Sequence, residues 1–224
     1  MYEKSNAFGI ASKEYGPSIR SFRFLGEKSA IYFHYTEDFS GNFEDKWEVV
    51  KHPNPVKGTS DSWNFFVDPK NLNSKGELEK IEGIKHTGDI TAKNEFNYGS
   101  WAVLKNAEWA NGTVKFNMLL RSNKPIALFF RYKDQNNYYS LIFNQSLQIN
   151  NIILATKIEG NDKSIKSRTQ RLKLNTWYRI TVDCNFDDVK ITMQTDNIRE
   201  HKVLFEQKLE GLHRGTIAFA AKGI

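Results

Sequence analysis

The stretch Thr113–Asn144, TVKFNMLLRSNKPIALFFRYKDQNNYYSLIFN, constrains the fold more than any other part of the chain. Val114, Phe116, Met118 and Leu120 alternate with Lys115, Asn117 and Arg121, a period of two that predicts a strand with one buried face. Asn111-Gly112 before it carries the signature of a tight turn that needs positive φ. Pro125 opens a second strand, and Tyr138 a third, on either side of the polar tetrapeptide Asp134–Asn137. If that tetrapeptide is a four-residue loop, Lys133 faces Tyr138, Arg131 faces Ser140 and Phe129 faces Ile142. Leu128, Phe130, Tyr132, Tyr139, Leu141 and Phe143 then share the core face. A slip of one residue would exchange the faces. The expectation is three antiparallel strands at the centre of a sandwich.

A chain of 224 residues with 39% hydrophobic and 13% aromatic content can bury a large core without disulfides. Its 16 Phe and 9 Tyr favour strands. No apolar run approaches the roughly 18 residues of a membrane span. The opening MYEKSNAFGIASKEYGPSIR has no apolar signal-peptide core. The single cysteine, Cys184, excludes an internal disulfide. It falls in WYRITVDC on the apolar face with Tyr178, Ile180 and Val182, which predicts a buried, inert thiol. A net charge of +6 and a pI near 9.2 permit an anionic partner without requiring one.

Beyond the central stretch, a dozen short apolar runs separated by turn residues predict strands. They include Ile31–Tyr35, Trp47–Val50, Trp63–Val67, Trp101–Leu104, Ile152–Ile158, Trp177–Cys184, Val189–Thr195, Val203–Glu206 and Thr216–Ala221. Asp68–Lys75 reads as a polar insertion. With no convincing helix, the pattern is that of an all-β sandwich or barrel. Residues 1–36 read as an N-terminal extension with an added strand, and 37–224 as one domain.

Several segments together resemble the concanavalin A-like lectin/glucanase superfamily, with laminin-G-like and thrombospondin C-terminal-like jelly rolls as the nearest cousins. These are EDFSGNFEDKWEVV (Glu37–Val50), SWNFFVD followed by GELEKIEG, AEWANGTVKFNM, FFRYKDQNNYYSLIF (Phe129–Phe143), LNTWYRITVDC followed by DDVKITM, and GTIAFAAKG. The resemblance spans about residues 37–223 and implies a two-sheet antiparallel jelly-roll sandwich. It also places Trp47 and Trp177 at core positions. Relatives usually have a further closing strand that often carries an Asp. Here either Ile31–Tyr35 takes that slot or the chain is cut short.

The same resemblance frames the candidate sites. Glucanases of the superfamily carry alternating carboxylates, E-x-D-x-(x)-E, whose side chains point into one groove. No such motif occurs, and the acidic pairs Glu37-Asp38, Glu44-Asp45 and Asp187-Asp188 are adjacent, so the expectation is no catalysis. The five histidines are scattered, without metal-ligand spacing. Relatives often bind Ca²⁺, and Asp38 with carbonyls of residues 40–42 would supply part of such a site; a turn-forming Asp is the alternative. On the register above, Lys115, Asn117, Phe129, Arg131, Lys133, Tyr138 and Ser140 share the non-core face. An aromatic ring beside forked donors suits a sugar. A plain cross-strand surface, or one covered by the N-terminal segment, is the alternative.

Lys163–Lys173 holds five basic residues without an acid and reads as a solvated connection or an anionic-polymer site. Nucleic acid is disfavoured there, because no aromatic residues interleave with the charges. Asn111-Gly112-Thr113 and Asn144-Gln145-Ser146 fit the N-glycosylation pattern of a secreted protein. The function these features imply is a non-catalytic recognition or adhesion module for a glycan or protein ligand, within a larger secreted or surface protein. The rivals are a glycan hydrolase and a structural interaction domain with a plugged groove.

Overall fold

The computed structural model describes residues 22–24, 33–35, 41–51, 62–72, 78–87, 100–120, 123, 125–145, 150–195 and 201–221. Of the side chains before residue 100, it describes those of 41–51, Trp63, Phe65 and Ile84. Fifteen strands and one helical turn, α1 (Phe43–Lys46), lie in these stretches. One sheet of six strands runs in the order β14 (Lys202–Lys208), β13 (Asp188–Thr195), β12 (Trp177–Asn185), β7 (Gly112–Leu119), β1 (Phe22–Phe24), β2 (Phe33–Tyr35). A sheet of seven runs β11 (Asn161–Thr169), β10 (Asn150–Ile158), β9 (Asn137–Gln145), β8 (Ile126–Asp134), β15 (Thr216–Ala221), β6 (Trp101–Leu104), β3 (Trp47–Val50). The hairpin β4 (Ser62–Leu72)–β5 (Leu78–Thr87) forms a third, two-stranded unit, so β4 continues through most of the segment expected as a polar insertion.

The core lies between the two large sheets. From the six-stranded sheet it takes Val114, Phe116 and Met118 of β7, Tyr178, Ile180, Val182 and Cys184 of β12, and Val189, Ile191 and Met193 of β13. Both β7 and β12 show the alternation expected of them. From the seven-stranded sheet it takes Leu128 and Phe130 of β8, Tyr139, Leu141 and Phe143 of β9, and Ile217, Phe219 and Ala221 of β15. Trp47 packs at one flank against the Phe219 ring, centroids 6.0 Å apart. Trp177 is only half-buried, so it is not the core tryptophan expected; Trp63, Trp101 and Trp109 are buried instead.

The three central strands are not one meander. β8 and β9 are neighbours, but β7 belongs to the other sheet, where it pairs with β12 and β1. The chain therefore crosses the sandwich on either side of β7. Asn111-Gly112 starts that strand after a crossover and is not a hairpin turn. Asn111 instead accepts the Phe186 N–H on its Oδ1 at 2.7 Å.

The β8–β9 hairpin also departs from the expected register. Asp134 pairs with Asn137 across a two-residue tip, yet Phe130 pairs with Tyr139 and Phe129 with Ser140. Arg131, Tyr132 and Lys133 thus stand opposite Tyr138 alone, a bulge with two extra residues on β8. Arg131 adopts φ +48, outside the extended region. The bulge reverses the alternation beyond Phe130: Arg131 turns inward and Tyr132 turns outward.

Candidate functional site

Arg131 has no exposed surface. Its Nη1 donates to the Leu212 carbonyl at 2.9 Å, and its Nη2 lies 3.5 Å from the Ala110 carbonyl and also donates to that of Phe186. Those three carbonyls belong to three separate connections, so the guanidinium ties together one end of the sandwich. No carboxylate forms an ion pair with it among the described residues. A buried cation held only by carbonyl dipoles is costly unless every bond is kept. Its role is structural, and the expectation that it faces a ligand on an open surface is corrected.

The remaining candidates separate to opposite sides of the molecule. Lys115 and Asn117 lie on the outer face of the six-stranded sheet, where Lys115 is exposed and Asn117 lies 3.5 Å from Arg179 Nε. Phe129, Tyr138 and Ser140 lie on the outer face of the seven-stranded sheet, with the whole sandwich between the two groups. Lys133 is exposed near the hairpin tip. A single groove holding all of them does not form, because β7 left the sheet to which β8 and β9 belong.

What forms instead is an aromatic cluster on the outer face of the seven-stranded sheet. One row across it reads Ala155, Ser140, Phe129, Ala218, Val103, Glu48, and the next reads Ile153, Ile142, Ala127, Ala220, Trp101, Val50. Small residues at Ala127, Ser140, Ala155, Ala218 and Ala220 leave room for the large rings beside them. Phe129 sits 4.7 Å from Trp101 and 4.5 Å from Tyr138, centroid to centroid. Trp101 meets Tyr138 edge-on at 5.6 Å and Tyr132 edge-on at 5.8 Å. Such pairs add roughly 0.5–1.5 kcal/mol each beyond area burial. The packing leaves the four rings between 1% and 7% exposed.

Three polar atoms of this cluster are unspent. Trp101 Nε1 is buried without a hydrogen-bond partner. The hydroxyls of Tyr132 and Tyr138 make no hydrogen bond among the described residues, unlike that of Tyr139, which donates to the Glu210 carbonyl at 2.6 Å. Burial, and then the charges of Asp134 and Glu48, push the Tyr132 phenol well above its ordinary range. Burial, and then Asp162, does the same for Tyr138. Both stay protonated donors, and carboxylates border the cluster. Its geometry is held from the rim: Gln135 Nε2 donates to the Lys51 carbonyl at 2.8 Å, and the Glu159 N–H donates to Asn137 Oδ1 at 3.1 Å.

The site expected from the sequence includes neither Trp101 nor Tyr132. Strict alternation places Tyr132 in the core, because the bulge is invisible in the spacing. The signal that could have found Trp101 is the unbroken apolar character of WAVL and IALFF, which implies burial on both faces. Asp38 lies outside the described residues, which contain no cluster of three or more His, Cys, Asp or Glu able to hold a metal. Cys184 is 2% exposed and burial pushes its thiol up to about 12, as expected of an inert core cysteine. Asn144 is buried on β9, which removes the second glycosylation pattern as an accessible acceptor. Lys163–Thr169 is part of the edge strand β11 and not a connecting loop. No helix among the described residues is long and apolar enough to cross a membrane.

No protein-family model and no curated protein sequence matches the chain. Among solved structures, the chain is similar to a carbohydrate-binding module, CBM66, from Bacillus subtilis. That match has 14% identity and a TM-score of 0.52, and covers 79% of this chain and 89% of that one. Lectin II from Ulex europaeus matches at 8% identity and a TM-score of 0.43, over 80% of this chain and 92% of that one. A homodimeric agglutinin from chicken liver matches at 14% and 0.41, over 55% and 92%. The likeness to the Bacillus module, together with the two antiparallel sheets, makes the fold a concanavalin A-like jelly-roll sandwich, as the sequence led one to expect.

Proposed function

We propose that this chain is a non-catalytic glycan-recognition module whose ligand meets the outer face of the seven-stranded sheet around Trp101, Phe129, Tyr132 and Tyr138. The observation that carries this reading is the pair of hydroxyls, Tyr132 Oη and Tyr138 Oη, that have no partner among the described residues at the edge of one four-ring cluster. Polar tips at the edge of an aromatic cluster suit a sugar, whose hydroxyls can accept from the two tyrosine donors. Glu48, Asp134 and Asp162 near the cluster favour a neutral sugar over an anionic one. The carbohydrate-binding module of the same fold supports the class of ligand.

The test is a glycan array followed by titration of a neutral hit against Tyr132→Phe and Tyr138→Phe. Each substitution keeps the ring and its packing and removes only the hydroxyl. Losing one such hydrogen bond costs about 1–3 kcal/mol, so each variant should bind roughly 5- to 150-fold more weakly, with a nearly unchanged melting temperature. An array without neutral hits, or variants that bind like the parent, would sink the reading.

A further inference from the structure

The chain's net charge is +6, and residues 163–176 hold five cations and no acid, so everything else together is only +1. β11 places these cations in a defined position. It is the outermost strand of the seven-stranded sheet among the described residues, and β14 is the outermost strand of the six-stranded sheet on the same flank. Lys166 pairs with Leu154 and Arg168 with Ile152, both core residues, so the two basic side chains leave β11 toward the other sheet. Arg168 crosses the gap and donates to the Val203 carbonyl of β14 at 2.6 Å. From the other side, Lys202 of β14 reaches Gln170 Oε1. The seam between the two edges is therefore lined by Lys163, Lys166, Arg168 and Lys202, and exposed Arg171 and Lys173 follow β11 in the chain. None of the six forms an ion pair among the described residues, whereas Lys157, Lys190 and Lys208 each have a carboxylate partner.

A charged edge strand can serve only to prevent edge-to-edge pairing. That purpose would be met by mixed charges and does not require both edges to contribute cations to one seam. Along β11 each residue advances roughly 3.3 Å, so Lys163 to Arg168 spreads over roughly 17 Å, and Arg171 and Lys173 extend the row. A row of uncompensated cations matches a linear polymer carrying regularly spaced anions, and Lys166 and Arg168 leave β11 on the face opposite to the aromatic cluster. No aromatic residue interleaves with the cations of residues 163–176 for bases to stack on.

We infer that this seam is a second binding surface, independent of the aromatic cluster, for a linear sulfated polysaccharide. Heparin serves as the probe. Its affinity for the wild-type protein falls steeply between low and physiological salt, as expected where several ion contacts release counterions. The triple variant Lys166→Ala/Arg171→Ala/Lys173→Ala changes three exposed side chains that form no ion pair among the described residues. It binds heparin roughly 10- to 100-fold more weakly at low salt. The control Lys115→Ala/Lys190→Ala/Lys208→Ala removes the same charge from the six-stranded sheet and loses less than about threefold. Circular dichroism melts confirm that both variants fold. Equal loss in the two variants would reduce the effect to net charge and overturn the proposal. So would salt-insensitive binding, or fully desulfated heparin binding as tightly as heparin. Single-stranded DNA or phosphatidylserine vesicles binding more tightly than heparin would reassign the seam to another class of anion, and would also overturn it.

Discussion

The outer faces of the two sheets differ in kind. On the six-stranded sheet, Lys115, Arg179, Asp183 and Lys190 stand in solvent, linked by light polar contacts such as Thr113 Oγ1 to Asp183 Oδ1 at 2.9 Å. On the seven-stranded sheet, the corresponding positions are Trp101, Phe129, Tyr138 and a floor of alanines, all buried. In the first sheet β7, β12 and β13 alternate in burial, while β6, β8 and β9 of the second are buried at nearly every position. Alternation marks a sheet with one working face, the core; an unbroken apolar run marks one with two. The second apolar face lies outside the main core, and the proposed ligand surface would account for it.

The largest effects should come where the two patterns meet, at the bulge. Phe130→Ala empties a core site and should cost about 3–5 kcal/mol. Strict alternation would make Arg131→Ala harmless. With the guanidinium buried and donating to three connections, it should instead cost about 3–5 kcal/mol as well, through the cavity it leaves and the carbonyls it leaves without a donor. Urea denaturation measures both. An Arg131→Ala protein within about 0.5 kcal/mol of the parent would return Arg131 to the surface and undo the bulge. On the faces themselves, Trp101→Ala should cost about 3–5 kcal/mol and Lys115→Ala less than about 0.5. Similar values for the two would erase the contrast between the sheets.

A smaller effect should follow at Gly215, which explains how β15 accommodates the bulge. A Cβ there would lie 2.4 Å from the Arg131 carbonyl carbon and 2.6 Å from the Tyr132 carbonyl oxygen. Those are backbone atoms, and Gly215 is itself fixed by a reciprocal pair of bonds with Trp109, at 2.9 and 3.0 Å. Neither side can yield cheaply, so Gly215→Ala should lose roughly 1–3 kcal/mol. A calorimetric melt matching the parent would show that β8 and β15 can part without loss.

The fold was legible because its information is local. Val114, Phe116 and Met118, and Tyr178 through Cys184, announce their buried face by spacing, and segments such as FFRYKDQNNYYSLIF carry the resemblance to the sandwich superfamily. The site was less legible because it depends on two non-local events. Which sheet β7 joins decides whether Lys115 and Asn117 share a face with Phe129, and nothing in TVKFNML reports its neighbour. The bulge depends on Arg131 adopting φ +48, favourable only once the carbonyls of Ala110, Phe186 and Leu212 converge on it. Those residues are 21, 55 and 81 positions away in the sequence.

The smallest effect tests how closed the aromatic face is. Burial raises the phenols of Tyr132 and Tyr138 above their ordinary value of 10.0, while an unfolded chain ionises them near that value. Folding is favoured in full below pH 10, where both states are protonated. As the pH rises past 10 the unfolded state alone loses protons, so stability falls. Cys184 acts with the same sign, from its ordinary 9.0 to about 12. It is common to the parent and to Tyr132→Phe/Tyr138→Phe, so it cancels between them. Urea midpoints measured at neutral pH and again above pH 10 should therefore drop in both proteins, and drop less in the double variant. The six-stranded sheet's outer face has no tyrosine among its described residues, so the difference reports on the aromatic face alone. Equal drops would mean that both hydroxyls ionise as freely in the folded protein as in water. The two outer faces would then differ in residue type and not in solvation.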